Sequence, residues 1–511
     1  MQNSKKTVLL VAFYNVKALG VRYLETALGK HGYHVVTVFY KTFNSVRPRP
    51  TTEEELELLC RKIAGCTPVL VGLSVMSSMY LDTVNRVLHA VKGNFTIPVV
   101  CGGAFASMFP ERMLATGADY VIRTDGEGPI CKLAEAVCYN LNTGGIPSLC
   151  YRNEMGEVVC NPVGDVLTEL DGYGIPAIHC EDACFIENNT VREGDPQLSA
   201  LSYEVIASRG CPFSCSYCCC SNLRRLLPQG QRRVRTRSVS SVIKELEEAK
   251  KQLKKLVFIH FYDEIFPNLP GWVDAFVREY RERINLPFTI WSHPNMTDAK
   301  DLKKLVSAGL NEVIMGIQSG SAYIRREVFH RNESNEEILK AVTDIQNAGV
   351  FWASYDFMLC HPFETTETLQ ETFNLVKQFP GRFELQLHGL NFLPGTDIVS
   401  MAVEQGYLSQ DEMDAVMYAP MEEQFSAYWM RENQAESRLW YRLIYCLQFP
   451  VLKARAEKMA NAPLRYEKQI DRLYQTGLRL AKLRYLYKKA HTVIKSRQLY
   501  LIDSEKETLE S

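Results

Sequence analysis

No stretch of this 511-residue chain approaches the roughly 18 consecutive apolar residues that a membrane-spanning helix needs. The first apolar run, Val8 to Phe13, is also too short for a secretory signal core, so the expected location is the cytoplasm. Net charge is lacking as well. Against 58 Lys and Arg stand 59 Asp and Glu, and a formal charge of −1 excludes a global pull toward nucleic acid or anionic membranes. Any such attraction must come from a local patch. Long internal repeats and low-complexity tracts are absent too, which excludes solenoid and disordered classes. Without a secretory signal, the sixteen cysteines are expected to be reduced thiols rather than a disulfide framework. What remains is the composition of a globular protein, 46% hydrophobic and 23% charged, long enough for two or three domains.

Within residues 1–140, short continuous apolar runs alternate with amphipathic helical patterns. Strands are expected at Thr7–Phe13, Val35–Tyr40, Val69–Val75, Pro98–Cys101 and Tyr120–Arg123. That rhythm predicts a parallel sheet covered on both faces, in a flavodoxin-like (Rossmann-type) α/β layout with its ligand beyond the carboxyl ends of the strands. Residues 141–200, rich in Gly, Pro and Asn, read as a connector with one hairpin around Cys150–Val159. A second series of six βα units occupies 201–400 and predicts a partial (β/α)6 barrel with chemistry at the carboxyl ends of its strands. Residues 401–511 read as a helical C-terminal domain.

The strongest chemical signal is Cys211-x3-Cys215-x2-Cys218, directly after a strand that ends in Ser208-Arg209-Gly210. Three closely spaced thiolates are soft ligands that can share one iron–sulfur cluster, leaving one iron of a cubane open to another ligand. A zinc knuckle completed by Cys219, Cys220 or a distant His, or simply buried cysteines, are the other readings. Cys219 and Cys220 are otherwise expected to be bystanders.

These residues resemble the radical S-adenosylmethionine (SAM) superfamily, whose signature is Cys-x3-Cys-x2-Cys after the first strand of a partial barrel. The resemblance continues through Arg235–Ser238 with Glu245, Phe261-Tyr-Asp-Glu264, Gly316-Ile-Gln-Ser-Gly-Ser321 and Asp356-Phe-Met-Leu-Cys-His-Pro362-x-Glu364-Thr365. Cys360 and Phe363 stand where the family usually has glycine. The resemblance implies a [4Fe–4S] cluster on Cys211, Cys215 and Cys218. It also implies SAM contacts from Tyr217, Asp263, Glu264, Gln318, Ser319, Arg325 and Arg326.

With a flavodoxin-like domain in front, the chain resembles the cobalamin-binding branch of that superfamily. Ser74, Met76 and Ser77, then Gly102 and Gly103, then Gly126, Glu127 and Gly128 follow the third, fourth and fifth expected strands. These are the implied cobalamin contacts. Many cobalamin proteins carry Asp-x-His-x-x-Gly in the first loop; here the positions read Asn15-x-Lys17-x-x-Gly20, so no protein imidazole is expected on cobalt.

The branch implies cleavage of SAM to a 5′-deoxyadenosyl radical and methyl transfer to an unactivated carbon of a small-molecule or lipid-like substrate. Cyclisation or rearrangement without methylation, and a non-catalytic cobalamin or metal sensor, are the alternatives. An external low-potential electron donor such as ferredoxin or flavodoxin is implied as well. No residue stands out as a catalytic acid or base. His260, His293, His361 and His388 fall near strand ends, where substrate contact and ordinary packing are equally open readings. Between Leu452 and Gln498, thirteen Lys and Arg face three acids, with Leu483, Tyr485, Leu486 and Tyr487 interleaved. A solvated helical face, peripheral membrane contact and binding of an acidic partner all fit this stretch, and nucleic acid is not an expected partner.

Overall fold

The computed structural model describes residues 6–44, 47–424 and 435–510, with side chains from 436 to 496 in the last segment. Residues 1–5 of the N-terminal lead-in and the Arg497 side chain of the basic stretch lie outside the described residues.

The first sheet begins with β1 (Thr7–Phe13), β2 (His34–Tyr40), β3 (Leu70–Ser74), β4 (Val99–Gly102) and β5 (Tyr120–Ile122). Val8 to Phe13 are each at most 2% exposed. Because side chains alternate, Leu9, Val11 and Phe13 enter one apolar core, and Val8, Leu10 and Ala12 enter the other. A strand buried on both faces cannot alternate with polar residues, which explains its continuous apolar run. The five strands are parallel in the order β2-β1-β3-β4-β5, the flavodoxin-like arrangement.

Residues 141–200 depart from the expected connector. They contribute β6 (Leu149–Arg152), β7 (Val158–Cys160), β8 (Asp182–Glu187) and β9 (Thr190–Glu193), extending the sheet to nine strands. The β6–β7 hairpin adds antiparallel to β5, and β8 adds parallel to β2. Arg22 and Asp195, both fully buried, form a two-armed ion pair at 2.7 and 2.8 Å that ties this segment to the first helix. Such pairing partners lie far away in sequence, so local turn signals alone suggested a linker. The thiol expectation is corrected at one place: Cys150 and Cys160, opposite each other in β6 and β7, are joined by a disulfide. Among the described residues the other fourteen cysteines form no disulfide.

The second sheet is the partial barrel: β10 (Ser202–Val205), β13 (Phe258–Phe261), β14 (Phe288–Ser292), β15 (Leu310–Gln318), β16 (Trp352–Leu359) and β17 (Glu384–Gly389), all parallel and in that order. Between the first two lies an antiparallel pair, β11 (Ser208–Arg209) and β12 (Arg235–Thr236). This pair pinches together the two ends of the excursion 210–234, which carries the cysteine run.

The C-terminal region is helical, ending in a helix over Glu467–Glu510. It is not simply a solvated face. Lys488 forms an ion pair with Glu312 near the start of β15 and lies 3.8 Å from Glu384 at the start of β17. Arg484 donates to the Phe383 carbonyl and stacks on Trp352 at 4.9 Å. This helix therefore covers the barrel's amino-terminal end. Leu483, Leu486, Tyr487 and Ile494 of this helix are exposed, Tyr487 with its ring 5.8 Å from that of Phe351. No described helix is long and apolar enough to cross a membrane.

Candidate functional site

The carboxyl ends of the first sheet face the excursion 210–234 across a cavity of about 390 Å³. From the first domain, Gly20, Ser74, Met76, Gly102, Gly103, Gly126 and Glu127 line it; from the barrel side come Arg209, Cys220, Arg224, Arg233, Tyr262 and Glu264. Six of the expected cobalamin contacts are thus brought together. Ser77 and Gly128 are not among the lining residues. Ser77 instead caps the turn Ser78–Tyr80 by accepting from the Met79 N–H at 3.3 Å. Gly128 lies within the helix Glu127–Tyr139.

The glycines have distinct reasons. Gly103 has φ +100°, and a Cβ there would fall 2.7 Å from the Val75 carbonyl oxygen. At Gly20 a Cβ would meet nothing within 4 Å, and at Gly102 only the Ile122 carbonyl at 3.8 Å. These two leave open backbone on the cavity wall, a cradle suited to a bulky planar cofactor such as cobalamin. Lys17 is unavailable as a metal ligand for a structural reason: its ammonium contacts Glu204 at 2.9 Å and Ser202 at 3.1 Å on the first barrel strand.

The acids of the fifth loop hold the two domains together. Glu127 accepts from Arg209 at 2.5 Å, and Asp125 accepts from Arg235 at 2.6 Å. Arg209 also lies against the rings of Tyr23 and Tyr173 at 4.9 and 4.8 Å. Burial alone would lower the Arg209 pKa, but Glu127 and Asp125 outweigh it and raise it. Both arginines belong to the β11–β12 pair that closes the cysteine excursion, so the first domain grips its base directly.

Cys211, Cys215 and Cys218 lie on one loop, close enough for Cys215 and Cys218 to influence the Cys211 thiol, which burial pushes up to about 11. Among the described residues no three His, Cys, Asp or Glu side chains converge as they would around a single metal ion. Cys220, expected to be a bystander, faces the cavity and donates to Glu264 at 3.7 Å.

The expected SAM contacts divide into two groups. Glu264 lines the cavity, with its carboxyl pKa raised by burial. Tyr217 packs edge-on against Phe329, and its hydroxyl accepts from Arg331 at 3.2 Å. Gln318 has φ +70° at a register break in β15, and its amide folds back over Gly316. In contrast, Asp263 binds the Ala207 N–H at 2.9 Å and the Ser208 hydroxyl at 2.5 Å, bracing the approach to the cysteine loop. Burial raises its pKa to about 7. Ser319 accepts from the Ser321 N–H within its own turn. Arg325, 1% exposed, donates to the Ser319 and Glu333 carbonyls and to Asn335. Its guanidinium is committed to the turn after β15, whereas Arg326 is exposed.

Local motifs did not point to Arg331, Glu333 or the environment of His293. Arg331 bridges Glu333 at 2.6 Å, the Gly316 carbonyl at 2.7 Å and Tyr217, placing a buried cation beside Cys215. His293 stacks on Phe213 of the cysteine loop at 3.9 Å, and burial lowers its pKa to about 2. Near this loop, Asp263 Oδ2 and Ser321 Oγ are buried without a hydrogen-bond partner, while His293 Nε2 and Glu333 Oε2 lie 3.7 Å apart as a buried pair. Orphaned groups of that kind call for a polar ligand, and a zwitterionic amino acid moiety such as that of SAM carries matching donors and acceptors. Further into the barrel, burial and the neighbouring Glu312 and Glu384 raise the Asp356 pKa to about 7. His260 is lowered to about 4 by burial, while His361 and Glu364 form a buried pair 3.8 Å apart. His388 is exposed.

Comparison with known proteins agrees with this architecture. The B12-binding domain model matches residues 5–134, and the radical SAM superfamily model matches residues 205–376. Among curated relatives, an uncharacterized methyltransferase from Pyrococcus horikoshii is 27% identical over 314 residues, 61% of this chain and 64% of the relative. An anaerobic magnesium-protoporphyrin IX monomethyl ester cyclase from Rubrivivax gelatinosus is 24% identical, across 70% of this chain and 61% of the relative. The chain therefore spans less than two thirds of either relative's length. Among solved structures, the radical SAM methyltransferase TsrM from Kitasatospora setae superposes with a TM-score of 0.62 at 19% identity, covering 78% of this chain and 76% of that one. The cobalamin-dependent SAM radical enzyme OxsB gives a TM-score of 0.64 at 13% identity, covering 97% of this chain and 84% of that one. At these identities the two structures speak to the fold.

Proposed function

From a chain that pairs a B12-binding domain with a radical SAM domain, we propose a cobalamin-dependent radical SAM enzyme that methylates an unactivated carbon of a small-molecule or lipid-like substrate. The observation that carries this reading is the cavity between the glycine-rich loops of the first domain and the cysteine excursion. It sets the proposed cobalamin wall opposite Gly210, Cys220 and Arg224, the residues that flank the proposed cluster loop.

In this reading Cys211, Cys215 and Cys218 hold a [4Fe–4S] cluster. Arg331 keeps a positive charge beside Cys215, and Asp263 fixes the strand end that leads into the loop. Glu264, Tyr217 and Gln318 remain as candidate SAM contacts, with the orphaned hydroxyl of Ser321 as an additional one. Ser74, Met76, Gly102, Gly103, Gly126 and Gly20 form the cobalamin wall, while Glu127 acts through Arg209. When bound, the cluster supplies reductive cleavage of SAM and cobalamin supplies the methyl group. The protein orients these groups, and its apolar cavity wall excludes water. The proposed partners are the substrate and an external low-potential electron donor in the cytoplasm. Exposed Leu483, Leu486, Tyr487 and Ile494 beside Lys482 and Lys489 support peripheral contact with an anionic membrane surface.

The test is anaerobic reconstitution with SAM and a low-potential reductant. Formation of 5′-deoxyadenosine that disappears when Cys211, Cys215 and Cys218 are all replaced by Ala is expected. Full product formation by that variant would overturn the reading. The similarity to a cyclase favours a second reading, rearrangement without methylation. S-adenosylhomocysteine formed together with 5′-deoxyadenosine on substrate turnover indicates methylation, and its absence indicates rearrangement.

A further inference from the structure

Residues 221–238 hold six arginines and no Asp or Glu. Two of the six are buried and spoken for: Arg235 pairs with Asp125, and Arg237 with Glu245. The other four lie on the excursion that carries the cysteine loop, and Arg224 touches that loop directly. Arg224 donates to the Cys211 carbonyl at 2.8 Å and to the Ser214 hydroxyl. Arg225 is exposed and pairs with Asp397 at 2.6 Å. Arg232, also exposed, donates among the described residues to the Leu227 and Arg225 carbonyls, at 2.9 and 2.8 Å. Arg233 is exposed at the cavity rim. The hydrogen bonds form a continuous path: Arg232 to the backbone of Arg225, its neighbour Arg224, and then Ser214. Pro212 and Ser214, inside the cysteine run, are themselves exposed.

Asp397 offsets the charge of Arg225, but the guanidinium charges of Arg224 and Arg232 meet carbonyls and a hydroxyl rather than a carboxylate. A chain whose global charge is −1 thus concentrates positive charge on the excursion that carries the exposed turn of its proposed redox loop, with Arg224 bonded to that turn. Such a focused patch steers an oppositely charged partner and orients it on arrival. A lipid surface would call for exposed apolar side chains, and Leu226 and Leu227 are half-buried.

We propose that this arginine belt is the docking face for an acidic, low-potential one-electron carrier protein, which reduces the cluster through the exposed turn at Pro212–Ser214. The proposal rests on the cluster reading above. The carrier loses one electron and the oxidised cluster gains one, with no bond made or broken. Arg225 and Arg232 lie outside the cavity lining, so they can be altered without touching the proposed cofactor wall.

The experiment uses the full chain with its cluster reconstituted. Bleaching of the cluster's visible absorbance is followed by anaerobic stopped flow, with reduced flavodoxin as the acidic carrier and reduced methyl viologen as a small cationic reductant. For R225S/R232S, flavodoxin-driven bleaching at low salt is expected to slow by about tenfold or more. Added salt should slow the wild type toward the variant. R225K/R232K should retain most of the rate, and methyl viologen should reduce the wild type and both variants without loss of rate. Equal flavodoxin rates in wild type and R225S/R232S would overturn the docking face, as would equal slowing with methyl viologen. A wild-type chain that assembles no reducible cluster would instead overturn the reading on which it rests.

Discussion

Arg209 donates to Glu127 at 2.5 Å, and Cys211 follows two residues later. This contact makes the first domain part of the scaffold for the cysteine loop, because one carboxylate lines the cavity and anchors the loop's base. Glu127→Gln should therefore weaken two properties together. Stability in urea unfolding is expected to fall by about 1–3 kcal/mol, the cost of removing the nearer of the two carboxylates that offset a largely buried charge. Cobalamin affinity, measured by absorbance titration, should fall as well. Loss of affinity with unchanged stability would mean that Glu127 acts on the cofactor alone.

Replacing Cys211, Cys215 or Cys218 singly by Ala should reduce bound iron to background after anaerobic reconstitution. Cys219→Ala should keep the iron, and Cys220→Ala should keep it while altering the cobalamin spectrum, since Cys220 faces the cavity. Iron analysis and visible spectra separate these outcomes.

Gly103→Ala forces a side chain onto φ +100° and brings its Cβ within 2.7 Å of a backbone carbonyl. A loss of about 1–3 kcal/mol in stability is expected, with weaker cobalamin retention in gel filtration. Gly20→Ala, which meets nothing within 4 Å, should retain stability and lose only cofactor affinity.

Asp356 has its pKa raised from 3.8 to about 7, first by burial and then by Glu312 and Glu384. A raised folded pKa means that the folded chain holds this proton more tightly than the unfolded one. Its contribution to stability is therefore fully present below pH 4 and is lost as pH rises toward 7. Asp356→Asn should match the wild type in acid and become the more stable of the two above neutrality, by at most about 4 kcal/mol. Thermal unfolding of the apoprotein across this range checks the sign.

Lys482→Gln with Lys489→Gln should reduce affinity for phosphatidylserine vesicles in cosedimentation by about thirtyfold, at about 1 kcal/mol per charge. Binding to phosphatidylcholine vesicles should be weak for both proteins. Equal binding of wild type and variant to the anionic vesicles would remove the membrane contact.

The parallel strands were legible because full burial leaves an unmistakable mark, as in Val8–Phe13. The cysteine run was equally plain, since its ligand spacing is local. Strand β8 was missed because its partner β2 lies about 140 residues earlier, and no local pattern records which edge a strand will join. Arg325 carried a motif position, yet its guanidinium turned inward to the Ser319 and Glu333 carbonyls; a motif fixes a residue's place along the chain, not the direction of its side chain. Arg331 was invisible for the opposite reason. Its partner Tyr217 is distant in sequence, and only the folded barrel brings them together.

The ion pair between Lys488 and Glu312 also bears on the order in which the chain matures. All six barrel strands precede Lys488, so on the ribosome Glu312 and Glu384 emerge long before the ammonium that separates their charges. Until then the barrel has a complete sheet but an uncovered base. A nascent chain stalled between residues 400 and 480 should hold the barrel in a loosened state, sensitive to proteases, and tighten only when the final helix seats.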